Sequence, residues 1–288
     1  MPNGILIIDK PAGWTSMDVC AKLRGILGER RIGHGGTLDP MATGVLPVFV
    51  GQATRAVEFA ENGEKEYVAG LRLGQVTDTQ DITGRVLEEH PVTVSREDLE
   101  ALLPRFTGPQ EQIPPMYSAI KIQGQKLYEL ARKGREVARK PRPVTIFRLE
   151  LLDQASETDF LLRCRCSKGT YIRTLCHDIG AALGCGGAMY SLRRTMAAGF
   201  TESQAMTLEE VQRQGERLLL PADSLFSDAP VLLLPSDKAE KRVRCGNPVT
   251  MPGVPDGVYR IYGRDRTFLC LSRAAGGTLT SIKNFFGA

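Results

Sequence analysis

The residues best suited to chemistry lie in Arg31-Ile32-Gly33-His34-Gly35-Gly36-Thr37-Leu38-Asp39-Pro40-Met41-Ala42-Thr43-Gly44. Four glycines surround one carboxylate, Asp39, and His34 stands five residues before it. Glycine opens backbone conformations closed to other residues and lets a ligand approach closely. Pro40 biases Asp39 towards extended backbone. The pattern describes a polar loop presenting one acid; it is also the ordinary composition of a turn. An acid–base pair of His34 and Asp39 could support hydrolysis, but no serine or cysteine nucleophile stands at a recognisable spacing. Gly44 is followed by Val45 and Leu46, not by the Lys and Ser/Thr of a phosphate-binding P-loop. No G-x-G-x-x-G lies between a strand and a helix, which excludes a dinucleotide fingerprint.

A second cluster, Lys168-Gly169-Thr170-Tyr171-Ile172-Arg173, places a tyrosine and an arginine on one face if extended. Arg173 can be a surface ion-pair partner, or the partner of a buried carboxylate that it keeps ionised. Cys164, Cys166, Cys176, His177 and Cys185 share one region, but their spacings match no zinc pattern. Cys164 and Cys166 alternate with Arg163 and Arg165, so they share a face with Leu162, directed to the core. No metal and no cofactor is expected. The strongest charge signal runs from Lys121 to Arg142. Lys121, Lys126, Arg132, Lys133, Arg135, Arg139, Lys140 and Arg142 face only Glu129 and Glu136, a net +6 in a chain of net +4. Such a run is usually a solvated face. Interleaved with Pro114-Pro115-Met116-Tyr117 and Tyr128, it suits a loop that grips a folded RNA backbone. Arg163, Arg165, Lys168, Arg173, Arg193 and Arg194 add to the positive charge.

These groups need a scaffold, and 288 residues give room for one large domain and a small one. Seven cysteines at irregular spacing suggest a reduced, cytoplasmic protein. No signal-peptide pattern or membrane-spanning apolar run is present. Gly4 to Asp9, Val45 to Val50, Tyr67 to Leu73, Val144 to Leu152 and Phe160 to Cys166 read as strands. Ser16 is the expected cap of a helix stopped by Gly28, and Ser95 with Asp98 and Thr207 with Glu210 form capping boxes. A helix is expected from about Thr174 to Leu183. Strands and helices mix without regular alternation, so the class is α+β with a largely antiparallel sheet. Near residue 230 the composition shifts to prolines, glycines and three strand-like runs, a small β-rich tail.

Further segments complete a pattern: Asp9-Lys10-Pro11-Ala12-Gly13-Trp14-Thr15-Ser16, Lys65-Glu66-Tyr67, Leu73-Gly74-Gln75-Val76-Thr77-Asp78-Thr79 through Gly84, Ile113 to Ala119 with Lys121, and Leu192-Arg193-Arg194. With the Gly33 to Gly51 stretch and Lys168 to Leu175, in this order, the chain resembles the bacterial TruB family of tRNA pseudouridine-55 synthases over roughly residues 4 to 230. The resemblance implies a pseudouridine synthase fold over residues 1–230, with a mobile RNA-gripping thumb at about 112–143. Residues 231–288 resemble, more distantly, a PUA-type RNA-binding domain.

The implied reaction is a cofactor-free isomerisation of uridine 55, flipped out of the tRNA T loop. Asp39 matches the catalytic aspartate, attacking the ribose at carbon 1′ or assisting proton loss at carbon 2′; both routes stay open. Tyr67 matches the tyrosine stacked on the flipped base, Arg173 the partner of the carboxylate, and Tyr171 and Leu192 the pocket lining. His34 matches an RNA contact rather than a base, and Arg55 a basic position near the tRNA. Gly36-Thr37 stands where related sequences often have Gly-Ala or Gly-Ser. The expected partner is the T arm of tRNA, bound by a monomer without membrane or protein partner. Three alternatives remain: a non-catalytic RNA-binding or tRNA-folding protein, a guide-RNA-dependent relative acting on ribosomal RNA, and a hydrolase using Asp39 and His34.

Overall fold

In a computed structural model, which describes residues 1–122 and 124–286, the chain opens with β1 (Gly4–Lys10). Its apolar run is buried on both faces: Ile5 and Ile7 join one core cluster, Leu6 and Ile8 another. Helix α1 (Ser16–Leu27) ends at Gly28, whose φ of 62° closes it in the left-handed region. Its cap is Thr15, not the expected Ser16: the Thr15 side chain and Asp18 form a reciprocal capping box. β2 (Ile32–His34) pairs with β3 (Thr43–Val50), so the supposed loop begins as an edge strand. Helix α2 (Val57–Asn62) leads to β4 (Lys65–Leu73), and β5 (Gln75–Thr77) and β6 (Val86–Glu89) form a hairpin.

Helix α3 (Arg96–Leu102) carries the expected Ser95–Asp98 box. After β7 (Gly108–Gln112) come β8 (Lys121–Ile122), β9 (Gln125–Lys126) and helix α4 (Leu127–Ala131). This segment, read as a loop, has a core of its own in which Met116, Leu127 and Leu130 pack with Ile120, Ile122 and Val137. Gln123, in the expected thumb, and residues 287–288 of the expected tail lie outside the described residues. β10 (Arg142–Gln154), β11 (Asp159–Cys166), helix α5 (Ile172–Ala182), β12 (Gly187–Ala197), β13 (Phe200–Thr201) and helix α6 (Leu208–Gln214) follow. Thr207 and Glu210 form the expected box before α6.

The central sheet runs β1-β3-β12-β4-β11-β10-β7, with β2 and β13 at its side. Neighbours are antiparallel except β3 and β12, which run parallel. Cys164 and Cys166 point inward, as their alternation implies, and are buried. The tail is a second sheet, ordered β14-β16-β17-β18-β15. It comprises β14 (Val231–Leu233), helix α7 (Asp237–Arg244), β15 (Val249–Thr250), β16 (Gly257–Tyr262), β17 (Phe268–Ala275) and β18 (Thr278–Asn284). Phe226 bridges the two sheets: its ring meets Phe59 at 5.2 Å and Phe285 at 5.6 Å, and Phe285 stacks on Phe268 at 5.1 Å. Edge and tilted aromatic contacts of this kind add to simple burial. Among the described residues, no helix is long and apolar enough to cross a membrane.

Two loop glycines serve packing rather than a ligand. A Cβ on Gly35 would meet Ala60 Cβ at 2.6 Å and the Phe49 ring at 2.9 Å. Gly44 has a φ of 98°, and a Cβ there would lie 2.2 Å from the carbonyl oxygen of Arg194. Gly44→Ala should therefore lower stability by about 2–4 kcal/mol through backbone strain and overpacking. The urea midpoint measures this, and an unchanged midpoint would refute it.

Candidate active site

Asp39 ends a loop whose backbone is anchored from three sides. The Ser16 hydroxyl accepts from the Leu38 N–H at 2.9 Å, which is why this serine is unavailable as a cap. The Pro40 carbonyl accepts from the Gly13 N–H at 2.8 Å and from Lys10 Nζ at 3.2 Å. Lys10 is wholly buried and also donates to the carbonyls of Pro11 and Trp14. Desolvation pulls its pKa down to about 8, with Asp39 opposing that shift. On the third side Arg194 donates to the Gly36 carbonyl at 3.1 Å.

Arg173 meets the Asp39 carboxylate with two nitrogens, Nε to Oδ2 at 3.0 Å and Nη2 to Oδ1 at 3.4 Å. The guanidinium is itself fixed, donating from Nη2 to the Tyr117 carbonyl at 2.8 Å and from Nη1 to the Thr79 carbonyl at 3.2 Å. Tyr171 and Arg173 do not share an extended face. The Gln112 side chain bonds both backbone groups of Tyr171, which becomes the N-cap of α5, and Arg173 is the second helical residue.

A second acid stands behind the pair: Asp81 Oδ2 is 3.7 Å from Arg173 Nε. Thr79, Thr83 and the Thr83 N–H all bond its other oxygen. Asp81 is not among the residues singled out from the sequence; its signal there is the alternation Thr79, Asp81, Thr83, in which short polar side chains fold onto local backbone. Asp39 remains 38% exposed against 7% for Asp81, so Asp39 is the acid open to a reactant. Burial pushes its pKa up, Arg173 opposes that shift, and Asp81 reinforces it. The result is a carboxylate less well solvated than an ordinary aspartate yet still ion-paired, an arrangement suited to covalent or proton-transfer chemistry.

The residues expected to line the site lie mainly on neighbouring strands. Tyr67 on β4 faces Arg194 on β12 and Cys164 on β11 in register. Burial pushes its phenol up to about 12 although Arg194 opposes the shift. Leu192, two residues before Arg194, joins Leu38, Ala42 and Tyr67 in one apolar cluster. Tyr171 is half-buried, and burial raises its pKa while the Arg173 charge opposes that rise. His34 is held neutral by burial and by Arg194, and its buried Nδ1 has no partner among the described residues.

The structure divides the expected RNA-binding cations. Lys121, Arg132, Lys133, Lys140 and Arg142 are exposed. Lys126 and Arg132 both lie 5.4 Å from the centre of the Tyr128 ring. Arg139 is half-buried and engaged by Glu136 and the Pro114 carbonyl. Arg55 does not stand free: its Nη1 donates to the carbonyls of Asn284 and Phe286, tying the tail to the main body. Arg165 pairs with Glu64, and Arg193 with Asp9 and Glu202. Arg173 and Arg194 are buried, so these four do not supply the free surface charge that composition suggested. Among the described residues, no cluster of His, Cys, Asp and Glu is arranged to hold a metal.

Comparison with known proteins identifies the family. A model of the TruB family pseudouridylate synthase N-terminal domain matches residues 24–172, and one of the tRNA pseudouridylate synthase B C-terminal domain matches residues 173–227. The chain is 46% identical over 276 residues to a tRNA pseudouridine synthase B of Pseudomonas putida, covering 93% of this chain and 90% of that one. It is 44% identical over 284 residues to the Citrobacter koseri protein of the same name, covering 93% and 90%. Among solved structures, one in a Cbf5-Nop10-Gar1 complex superposes with a TM-score of 0.75 at 27% identity, over 98% of this chain and 85% of the other.

The raised pKa of Asp39 has a consequence for stability. Folding disfavours its ionised form, so the charge costs stability above its folded pKa. That cost disappears as pH falls below the ordinary value of 3.8. Asp39→Asn should melt at or above the wild-type temperature near neutral pH, with the gap closing in acid. A clear drop in melting temperature near neutral pH would contradict this.

Proposed function

The chain belongs to the TruB family of pseudouridylate synthases and forms pseudouridine in tRNA; from that premise we propose that Asp39 carries the reaction, on uridine 55 of the T loop. The observation that supports this best is the carboxylate itself. Asp39 is partly open, doubly bonded by Arg173, and anchored on a braced loop.

The uridine is flipped from its stack into the cleft. Tyr67 then stacks on the uracil, with Leu192 and Tyr171 lining the pocket. The bond from N1 to carbon 1′ breaks, the uracil turns, carbon 5 joins carbon 1′ and gives up its proton, and N1 takes one up. Asp39 either attacks carbon 1′ or takes a proton from carbon 2′. The same ionised carboxylate serves both routes, and Arg173 maintains it in that form. His34, neutral by virtue of its burial, contacts the flipped RNA through hydrogen bonds rather than charge. Residues 1–230 act as the catalytic unit and residues 231–288 as a PUA-like RNA-binding unit. The segment 112–143 closes on the T arm as a thumb, and Lys121, Lys126, Arg132, Lys133, Arg139, Lys140 and Arg142 furnish its phosphate contacts. Because Arg55 bonds the tail, it positions that unit and offers its remaining nitrogens to RNA. A monomer leaves this face open. The set of Asp39, Tyr67 and Arg173 and the identity to tRNA pseudouridine synthases favour this reading over a folding protein or a guide-dependent relative.

Asp39→Asn should abolish pseudouridine in unmodified T-arm RNA, mapped by carbodiimide adduct and primer-extension stop, while RNA binding survives. Turnover near the wild-type rate would overturn the assignment. Replacing Lys133 and Lys140 with alanine should weaken RNA binding and flatten the dependence of log affinity on log salt by about one per lysine. An unchanged slope would remove these lysines from the interface.

A further inference from the structure

Arg194 heads the fully buried side chains by volume, at 1% exposure. It forms no ion pair among the described residues. A buried guanidinium without a carboxylate is costly, and an apolar side chain of similar volume would pack at less expense. Two of its nitrogens donate to the loop that leads to Asp39, and the third to the adjoining strand β3. Nε donates to the Val45 carbonyl at 2.7 Å, Nη2 to Gly36 at 3.1 Å and Nη1 to Thr37 at 3.5 Å. Tyr67 is its register partner on β4, and the Arg194 charge opposes the rise in pKa that burial gives the phenol. The sheet register explains the convergence: β12 places Arg194 beside Gly44 of β3 on one side and Tyr67 of β4 on the other. Gly36 and Thr37 lead directly into Leu38 and Asp39.

We propose that Arg194 is a positioning residue for the isomerisation: its planar fork fixes the Asp39 loop and the Tyr67 ring relative to each other, so that acid and stacking wall meet the flipped uracil as one preset unit. The inference rests on the roles given above to Asp39 and Tyr67. A guanidinium can satisfy several carbonyls and a phenol in fixed directions at once, whereas an ammonium is a point charge on a flexible stem. Small displacements of reacting groups lower rates by about 10²-fold.

The test uses Arg194→Lys and Arg194→Gln, each alone and combined with Tyr67→Phe, with folded fractions taken from thermal melts. Single-turnover rates are measured at saturating T-arm RNA, and affinity is measured separately. Each single variant should lose about 10²-fold in rate per folded molecule, with RNA affinity within about twofold of wild type. The loss should shrink in the Tyr67→Phe background, where the phenol anchor is already gone. A merely structural arginine would give wild-type rates per folded molecule, and an independent one would give losses that multiply with Tyr67→Phe; either result overturns the proposal. If Arg194→Gln does not fold, Arg194→Lys is decisive alone. Absence of pseudouridine from the wild-type reaction would refute the proposed function instead, so the two failures are distinct.

Discussion

The site depends on keeping a carboxylate charged where water is scarce. Burial raises the Asp39 pKa, and Asp81 behind it acts in the same direction. Arg173 is the counterweight, and it works because it cannot drift: its nitrogens also bond the Thr79 and Tyr117 carbonyls. The ion pair thereby joins three stretches far apart in sequence, namely the glycine loop, the turn after β5 and the base of the segment from 112 to 143. The basic segment is attached to the Asp39 carboxylate through one guanidinium. Any displacement of Tyr117 is felt at Asp39.

The same solution recurs around the loop. Irregular backbone has no ladder to satisfy its carbonyls, and buried carbonyls require partners. Here the partners are buried cations. Lys10 serves Pro11, Trp14 and Pro40; Lys65 serves Glu61 and Gly63 at the end of α2; Arg194 serves Gly36 and Val45. Desolvation pulls Lys10 and Lys65 down to about 8. Each of the three cations thus bonds backbone carbonyls close to the Asp39 loop, a use that composition alone cannot distinguish from surface charge.

Much of the fold was legible because it follows from short-range rules. Period-two alternation located β4 and β11 and turned Cys164 and Cys166 inward, and the Ser95 and Thr207 boxes marked helix starts. The cap of α1 was ambiguous because Thr15 and Ser16 both qualify; a contact to Leu38, distant in sequence, decided it. Tyr171 and Arg173 carry no local helix-start signal: α5 has no side-chain cap, and its N-cap Tyr171 is held by Gln112, far upstream. The burial of Arg194 was readable in principle, since Leu192 and Arg194 share a face in a strand, but a pair of arginines reads first as charge. The glycines at 35 and 44 showed only that something comes close. What comes close is the chain itself: Phe49, Ala60 and the backbone of Arg194.

This changes how the net charge should be understood. A chain of +4 is a weak polyelectrolyte, and a uniform distribution would attract RNA poorly. The structure separates the cations by use. On the central sheet Arg72, Arg165 and Arg193 are neutralised by Asp159, Glu64, Asp9 and Glu202, while Lys10, Arg173 and Arg194 are buried. In the basic segment only Arg139 has a carboxylate partner among the described residues, and Lys121, Arg132, Lys133, Lys140 and Arg142 remain exposed. Local field at a surface depends on uncompensated charge within about a Debye length, ~8 Å at physiological salt, rather than on the total. The segment whose base holds Arg173 in place is thus a dense run of uncompensated surface charge.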